Sequence, residues 1–356
     1  MKQSVILCLT CTAAVVTFAQ SPEPPATSGE AAAVLGAARE ALGGEKRLSS
    51  IKTVVVSGHT RQLQGDNLVP ILFEINIELP DKYVRTDEIP ARESGPSSRG
   101  FNGDGLIQSG DAPGPGPRRG GPPPSSAPPA PGGASTSAAT ASVDKTAGKP
   151  GAPGDAPTGG AARGPAAPPP SPTVPVKQDF ARLTLGMFAT SFSSYPLAFG
   201  LAGQAEAPEG KADVLDVKGP GNFAARLFID SKTHLPLMLS WTTPPNLVPV
   251  VAGQKPPANL PPGAVTFETP MPPADSASPE QKKQFEEEAL AARKKAMAST
   301  RPTENRIYYA DYRDVDGLKL PFRIRRAVGA TTVEETTFDR YRINAKIDAR
   351  KFEVRK

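Results

Sequence analysis

The clearest pattern along the chain is an alternation of apolar and polar residues between positions 71 and 79. Ile71, Phe73, Ile75, Ile77 and Leu79 face one way, and Leu72, Glu74, Asn76 and Glu78 face the other. A period of two is typical of a β-strand with one buried face. Pro80-Asp81 supplies a turn, and residues 82–87 are expected to return as the next strand.

The same alternation predicts further strands on both sides of a long proline-rich interval. They cover residues 51–57, 214–218, 223–230, 235–241, 306–312, 318–326 and 331–343. The segment Asn102-Gly103-Asp104-Gly105 is typical of a hairpin turn, with Leu106 and Ile107 on its exit strand. One-sided burial of this kind indicates an antiparallel sheet with one face in water.

Two later hairpins, at residues 230–237 and 314–322, combine a tight polar turn with a strand that has a proline in its first half. Because proline has no N–H to donate to a ladder, Pro236 and Pro321 are expected at strand starts or on edge strands. Two edge-type hairpins favour an open, curved sheet that does not close on itself. The apolar face of such a sheet needs a cover, supplied by a helix, a ligand or a partner.

Two segments with helical character are candidates for that cover. Residues 30–42 repeat apolar positions at helical spacing, with Ser28 as N-cap and Gly43-Gly44 as the stop. The phenylalanine-rich segment 177–195 is expected to be a helix that Pro196 ends or kinks. Helices beside an antiparallel sheet define an α+β protein.

The apolar face of the sheet supplies the candidate ligand-cavity residues. They are Phe73, Ile75, Ile77, Leu237, Leu239, Trp241, Phe322 and Ile324. They either fill a core between sheet and helices or line a cavity for an acyl chain or another apolar ligand. Periodicity does not separate these two interpretations.

The first residues of the chain indicate a cleaved secretory signal peptide at 1–19. Lys2 precedes an apolar run too short to span a bilayer, and Thr17-Phe18-Ala19 ends in a small residue at the expected cleavage point. Both cysteines of the chain lie inside this segment, so the mature protein is expected to have neither disulfides nor thiol sites. Residues 20–29 follow as a polar leader. A periplasmic or secreted location is therefore expected.

Two excursions interrupt the strand pattern. Residues 113–175 are mainly Pro, Gly, Ala, Ser and Thr and are expected to be a disordered insertion, because they cannot bury enough apolar surface to fold. Residues 243–303 form a proline-rich loop followed by a charged helix at 279–298, for which a solvated position is favoured over partner binding. The thin apolar stripe of this helix is Phe285, Ala289, Ala292 and Ala296. Residues 30–112 and 176–356 are predicted to form one split domain.

The charge and the polar residues predict no catalytic or metal site. The formal net charge is +5, but the arginines near the end of the chain alternate with carboxylates such as Glu334, Glu335 and Asp339, which indicates a solvated strand face rather than a nucleic-acid surface. His59 and His234 have no second histidine or paired carboxylate at ligand spacing. No phosphate loop, dinucleotide fingerprint or nucleophile elbow is present. We therefore expect no cofactor and no enzyme activity.

The order of several short motifs resembles the outer-membrane lipoprotein carrier and receptor group (LolA/LolB-like proteins). The motifs are an N-terminal helix, Pro80-Asp81-Lys82-Tyr83, the turn at 102–105, and the ending at 347–353. The likeness covers residues 30–110 and 176–356. It implies a curved, incomplete antiparallel β-barrel (a half-barrel) covered by helices, with a hydrophobic cavity for lipoprotein acyl chains. The carriers have an arginine before that proline, and this chain has Leu79 there.

Two hypotheses about function follow from the pattern and the resemblance. In the first, the protein is a periplasmic binding or carrier protein that holds a hydrophobic or acylated ligand without catalysis, as in the sorting of outer-membrane lipoproteins. In the second, it is an envelope sensor or scaffold of the same fold that acts through protein partners. Either role places it at most at the membrane surface. The departure at Leu79 weakens the link to lipoprotein transport itself.

Overall fold

One large antiparallel sheet forms most of the structure. The computed structural model describes residues 27–65, 67–90, 95–110, 171–207, 210–257 and 259–354. The predicted signal peptide, most of the polar leader, and residues 113–170 of the predicted insertion lie outside these ranges. The helices are α1 (Gly29–Ala41), α2 (Glu45–Ser50), α3 (Val174–Phe188) and α4 (Pro279–Ser299).

The strands are numbered in chain order. They are β1 (Thr53–Gln64), β2 (Asn67–Glu78), β3 (Lys82–Glu88), β4 (Ser97–Asn102), β5 (Gly105–Ser109), β6 (Ala198–Ala207), β7 (Gly210–Gly219), β8 (Phe223–Asp230), β9 (Pro236–Thr243), β10 (Asn246–Val251), β11 (Ala264–Thr269), β12 (Thr303–Val315), β13 (Leu318–Val328) and β14 (Thr331–Ile343). A 3-10 turn at Ala349–Phe352 follows the last strand.

The strand order shows a sheet that stays open. Twelve of the described strands pair in the order β5-β4-β3-β2-β1-β14-β13-β12-β9-β8-β7-β6, and β10 pairs with β11 in a separate parallel ribbon. The edge strands β5 and β6 are at opposite ends of this order. The α+β class and the open antiparallel sheet are confirmed, and the open sheet is consistent with a half-barrel.

Several strand boundaries differ from the prediction. The first strand was expected to end at residue 57, but β1 continues to Gln64. The prediction stopped too early because the buried positions after residue 57 are Gly58 and Thr60, which are not hydrophobic and give no alternation signal. The strand β6 was missed, since its sequence is mostly small residues that give no alternation. The predicted proline-rich loop of the second excursion contains β10 and β11, whereas its charged helix matches α4 closely.

The helix α3 is shorter than predicted at its end and begins earlier. It starts at Val174, inside the last residues of the predicted insertion, and stops at Phe188 rather than at Pro196. Ala189 takes a left-handed φ of 46° and donates its backbone N–H to the Leu185 carbonyl, which closes the helix. A local backbone conformation therefore ends α3 before the proline is reached.

The two proline-containing hairpins lie inside the sheet, so their prediction as edge hairpins was wrong. Pro236 is the first residue of β9, as expected, but β9 pairs with both β8 and β12. Pro321 lies within β13, opposite Tyr312, at a point where β13 is not yet paired with β14. The Pro321 carbonyl instead accepts a hydrogen bond from the hydroxyl of Tyr341 (2.5 Å). The missing N–H is thus tolerated without an edge position.

Two of the motifs behind the family resemblance, the turn at 102–105 and the ending at 347–353, meet at one end of the sheet. Asn102, in the β4–β5 turn, donates its side-chain amide to the carbonyl of Phe352 (3.1 Å). Phe352 is buried against Val84 and Ile107. In the same turn Asp104 is 2.9 Å from the ammonium of Lys177 on α3. The turn therefore connects the chain's last described residues and α3 to the first strands.

Buried contacts hold α3 against the middle of the sheet. The hydroxyl of Tyr309 donates to the Arg182 carbonyl (2.5 Å), and the hydroxyl of Tyr312 donates to the Gly186 carbonyl (2.8 Å). A Cβ added to Gly186 would lie 2.3 Å from atoms of the Tyr309 ring. Glycine at this position permits the close approach of α3 to β12.

We expect Gly186→Ala to destabilise the protein by about 1–2 kcal/mol, because the new methyl group overlaps a ring that is buried and hydrogen-bonded. Alanine improves helix propensity by about 1 kcal/mol, so an unhindered site would respond in the opposite direction. Gly36 in α1 is the matched control, since an added Cβ there meets nothing within 4 Å. Urea denaturation should show a lower midpoint for Gly186→Ala and an unchanged or higher midpoint for Gly36→Ala. Equal shifts in both variants would contradict the close approach.

Candidate ligand-binding groove

Most of the predicted cavity residues are packed in the core. Phe73, Ile75, Ile77, Leu239, Phe322 and Ile324 are each at most 9% exposed. Trp241 is partly buried, and the guanidinium of Arg182 on α3 lies 4.5 Å from its ring centroid. These side chains pack in one hydrophobic cluster with residues of α1 and α3. Six of the eight predicted cavity residues are therefore buried in the core.

Leu237 lies on the other face of the sheet from its expected neighbours. The prediction grouped it with Leu239 and Trp241, but Leu237 is 40% exposed. The pairing of β8 with β9 runs from Phe228–Met238 to Ile229–Pro236, so Leu237 is an extra residue in a bulge. The bulge reverses the alternation, which explains why a simple period of two misplaced this side chain.

Leu237 lines an open groove on the face of the sheet that points away from α3. The groove has a volume of about 1130 Å³ and is bounded by residues of eight strands. Tyr308 and Tyr309 define the two faces: the Tyr309 hydroxyl reaches α3, while the neighbouring Tyr308 side chain lines the groove. This groove is open and large enough to be a candidate ligand site.

Two rows of side chains cross the groove from strand to strand. The first row, set by direct pairing, is His59, Thr337, Arg323 and Ala310. The second row is Arg61, Glu335, Arg325, Tyr308, Met238 and Phe228. Neighbouring strands lie about 4.8 Å apart, so each step along a row covers that distance.

The two ends of the groove differ in chemistry. At the end formed by β6 to β9, which we name the apolar end, the lining residues include Ala205, Ala207, Ala212, Phe228, Leu237 and Met238. At the end formed by β1, β14 and β13, which we name the cationic end, they include Arg61, Arg323, Arg325, His59 and Glu335. Tyr308 lies between the two ends in the second row.

The arginines of the cationic end are free of close ion pairs. Among the described residues, no carboxylate oxygen lies within 4.0 Å of the guanidinium nitrogens of Arg61, Arg323 or Arg325. The Arg325 guanidinium stacks 4.4 Å from the centroid of the Tyr308 ring. His59 differs, because its Nδ1 is 3.3 Å from Asp339. The three guanidiniums therefore keep their donors available.

The carboxyl group of Asp230, at the apolar end, is already used by its own turn. It accepts hydrogen bonds from the backbone N–H of Thr233 (2.6 Å) and of Lys232 (3.0 Å) and from the Thr233 hydroxyl. The bond from the Thr233 backbone contributes most to holding the pKa of Asp230 below its ordinary value. Asp230 thus acts as a turn residue, as the sequence predicted.

A buried polar cluster lies under the groove, on the face that contacts α3. Glu334 is 8% exposed, with one oxygen 3.3 Å from Arg326 and the other accepting from the Thr336 hydroxyl (3.1 Å). The Thr336 hydroxyl also bonds Thr60 (2.8 Å), which Arg85 reaches at 3.5 Å. The prediction of a solvated Glu334 was therefore wrong. Glu334 is two and four residues from Thr336 and Phe338 on the same strand, so the period of two could have placed it on their buried face.

Burial acts to raise the pKa of the Glu334 carboxyl, but its neighbours outweigh this effect. The charges of Arg326 and Arg85 and the Thr336 hydroxyl together hold the pKa below the ordinary value. Glu334 is therefore a buried carboxylate rather than a neutral acid. It organises the sheet and does not face the groove.

The two histidines lie in different parts of the structure. His59 lies at the groove and His234 in the β8–β9 turn, where its φ is 57°. Within the described ranges, no group of three or more His, Cys, Asp or Glu residues is arranged to hold a metal ion. No described helix is both long enough and apolar enough to cross a membrane.

Comparisons with known proteins give structural similarities without sequence matches. No family model matches the chain, and no curated protein matches it. The structure is similar to a LolA superfamily protein from Nitrosomonas europaea, with 12% identity, coverage of 91% of this chain and 97% of that chain, and a TM-score of 0.43. It is also similar to an outer membrane lipoprotein-sorting protein domain from Vibrio parahaemolyticus, with 8% identity, coverage of 90% and 97%, and a TM-score of 0.40.

A third similar structure is a DUF1329 family protein from Desulfovibrio piger, with 6% identity, coverage of 91% of this chain and 97% of that chain, and a TM-score of 0.36. The groove itself is described from the residues of this chain alone.

Proposed function

We propose that this protein is a periplasmic binding or carrier protein that holds the apolar part of a hydrophobic or acylated ligand in the groove, by binding and without catalysis. The observation that carries the proposal is the open volume of about 1130 Å³ against exposed apolar side chains. Pockets for small molecules have volumes of about 300–1,000 Å³, so the groove is large enough for such a ligand.

The apolar end can provide the binding energy that an acyl chain requires. Phe228, Leu237 and Met238 line this end with aromatic, branched and flexible side chains, and alanines of β6 and β7 also line it. Each buried methylene contributes about 0.8 kcal/mol, so ten methylenes contribute roughly 8 kcal/mol before the cost of immobilisation. Binding in the micromolar range corresponds to about 8 kcal/mol, which leaves weak to moderate affinity once that cost is subtracted.

The proposed site differs from the cavity that the resemblance implies. Phe180, Tyr309 and Ile324 belong to one buried cluster between the sheet and α3, which favours a core on that face. Leu79, which replaces the expected arginine, packs against this same cluster. The proposal therefore keeps the carrier role that the family resemblance implies and moves the ligand to the opposite face of the sheet.

We expect Leu237→Glu to weaken apolar ligand binding by 10-fold or more, because a carboxylate at the apolar end must be desolvated by the ligand. The exposed position of Leu237 means that the substitution leaves the core intact. Leu201→Glu is the matched control, since Leu201 is 39% exposed against 40% for Leu237 and does not line the groove. Binding is measured by the fluorescence increase of N-phenyl-1-naphthylamine. Absence of uptake by the wild type, or equal binding by both variants, would refute the proposed site.

The scaffold hypothesis has one supporting observation. The helix α4 buries none of its described residues, and Leu290 and Met297 are 51% and 39% exposed on it. Such a helix suits contact with a protein partner. The same fluorescence experiment separates the two functions, because a scaffold without a transported ligand has no reason to take up the probe.

A further inference from the structure

We propose that the ligand is an anionic amphiphile, with one carboxylate or phosphate group bound at the cationic end while its chain lies along the apolar end. This inference rests on the proposed function and adds the chemical class of the ligand. It also gives the arginines a role that a solvated strand face does not require.

The placement of the arginines carries the first step of the argument. Arg61 and Arg325 are members of one row and lie two strands apart, on either side of Glu335, so their Cα atoms are separated by about 10 Å. Arg323 precedes Arg325 by two residues on the same face of β13, which is a separation of about 7 Å. Long guanidinium side chains at these spacings can meet on one anionic group.

The balance of charge carries the second step. The groove is lined by Arg61, Lys211, Arg323 and Arg325 against two carboxylates, Asp230 and Glu335. Asp230 lies at the apolar end and its Oδ1 is bonded within its own turn, so Glu335 is the one carboxylate that lines the cationic end. Outside the lining, the charge of Arg323 also acts on Asp311. An anion at this end gains charge-assisted hydrogen bonds from guanidiniums that have no carboxylate oxygen within 4.0 Å among the described residues, and the planar fork of arginine matches carboxylate and phosphate geometry.

The continuity of the second row carries the third step. From Arg325 the row passes through Tyr308 and Met238 to Phe228, three strands away, which corresponds to about 14 Å. Tyr308 lies between the cationic end and the apolar end, because its ring stacks against the Arg325 guanidinium and its backbone position is paired with the apolar Met238. A free anion would leave the apolar end unused, and a neutral lipid would leave the three guanidiniums unpaired. One molecule with both parts satisfies the whole groove.

Dodecyl phosphate and dodecyl maltoside, both below their micellar concentrations, are the probes that test this inference. They share a chain and differ in the charge of the head. With the full chain, Arg325→Gln and Arg323→Gln are expected to weaken dodecyl phosphate by about 10-fold each, and dodecyl maltoside by less than 2-fold. Arg325→Lys should recover part of the loss. Arg340→Gln, on β14 outside the groove, is the matched control and should change neither affinity.

A second variant tests the same contact by an expected increase in affinity. Glu335→Gln removes the carboxylate between Arg61 and Arg325 and is expected to tighten dodecyl phosphate several-fold, which loss of folding could not produce. Raising the salt concentration should weaken dodecyl phosphate and leave dodecyl maltoside unchanged.

The outcomes separate the two proposals. Equal affinity for both probes, with no effect of the arginine variants, would overturn the anionic class and leave the apolar groove standing. Failure of both probes to bind would overturn the proposed function as well. Displacement of dodecyl phosphate by millimolar inorganic phosphate would identify a free-anion site and overturn the amphiphile. Insensitivity to inorganic phosphate, together with the arginine effects, is the expected result.

Discussion

Phe180→Ala is expected to lower the free energy of unfolding by about 3–5 kcal/mol, because it leaves a cavity where α3 meets the sheet. Phe180 is 1% exposed, and its ring centroid lies 5.5 Å from Tyr83, 5.4 Å from Phe101 and 5.7 Å from Phe192. Loss of one ring therefore weakens contacts with β3, β4 and the segment after α3 together. Urea denaturation followed by the fluorescence of Trp241, the chain's single tryptophan, measures the change.

Two variants control this experiment. Phe180→Leu keeps most of the buried volume and should cost less than about 2 kcal/mol. Leu201→Ala, at an exposed position on the edge strand β6, should change stability by less than about 0.5 kcal/mol. A loss below about 1 kcal/mol for Phe180→Ala would mean that α3 contributes little to the core.

Glu334→Gln is expected to cost about 3 kcal/mol at pH 7, at the lower end of the range for a broken buried ion pair. The lower end applies because the Arg326 side chain keeps 31% of its surface in water. The neutral amide leaves Arg326 without its paired charge, whereas Arg85 keeps its ion pair with Asp87 (2.7 Å). Glu335→Gln is the matched control, because the neighbouring residue is exposed and should change stability by less than about 0.5 kcal/mol.

The effect of Glu334 depends on pH in a direction set by its lowered pKa. A carboxyl whose pKa is lower in the folded state than in the unfolded state stabilises the protein above the unfolded value, which is about 4.3 for glutamate. This stabilisation is lost as the pH falls through the folded pKa. The difference in the free energy of unfolding between wild type and Glu334→Gln should therefore be largest at pH 7 and shrink below about pH 4. A gap that stays constant down to pH 3 would contradict the buried carboxylate.

The sequence predicted the parts of the fold in which one local signal dominates. The alternation at 71–79 located β2, and Ser28 located the start of α1, where its hydroxyl accepts from the Ala31 N–H (3.3 Å). The charged helix was located by Pro279, which α4 contains in its first turn. In these elements the period, the cap and the turn residues all indicate the same structure.

The errors occur where tertiary structure sets the outcome. The bulge that turns Leu237 outward depends on the pairing of β8 with β9, and the burial of Glu334 depends on Arg85, which is distant in sequence. The groove was also beyond prediction from the sequence. Its two rows of side chains exist only when β1, β14, β13 and β12 are aligned in their observed registers. The arginines of β13 alternate with buried residues such as Ile324, but their alignment with Tyr308 required the register.

The strand order also has a consequence for how the chain folds. The meander β1 to β5 can form from neighbours in sequence, whereas β9 pairs with β12 across the segment that contains β10, β11 and α4, and β1 pairs with β14, the last strand of the sheet. Closing so long a loop is slow, and until β14 pairs with it, β1 presents an unpaired edge that includes Val54, Val55 and Val56, which are buried in the folded protein. Arg61 joins Arg323 and Arg325 in the groove only when this pairing forms, so the cationic end is completed by the strand pairing that is most distant in sequence.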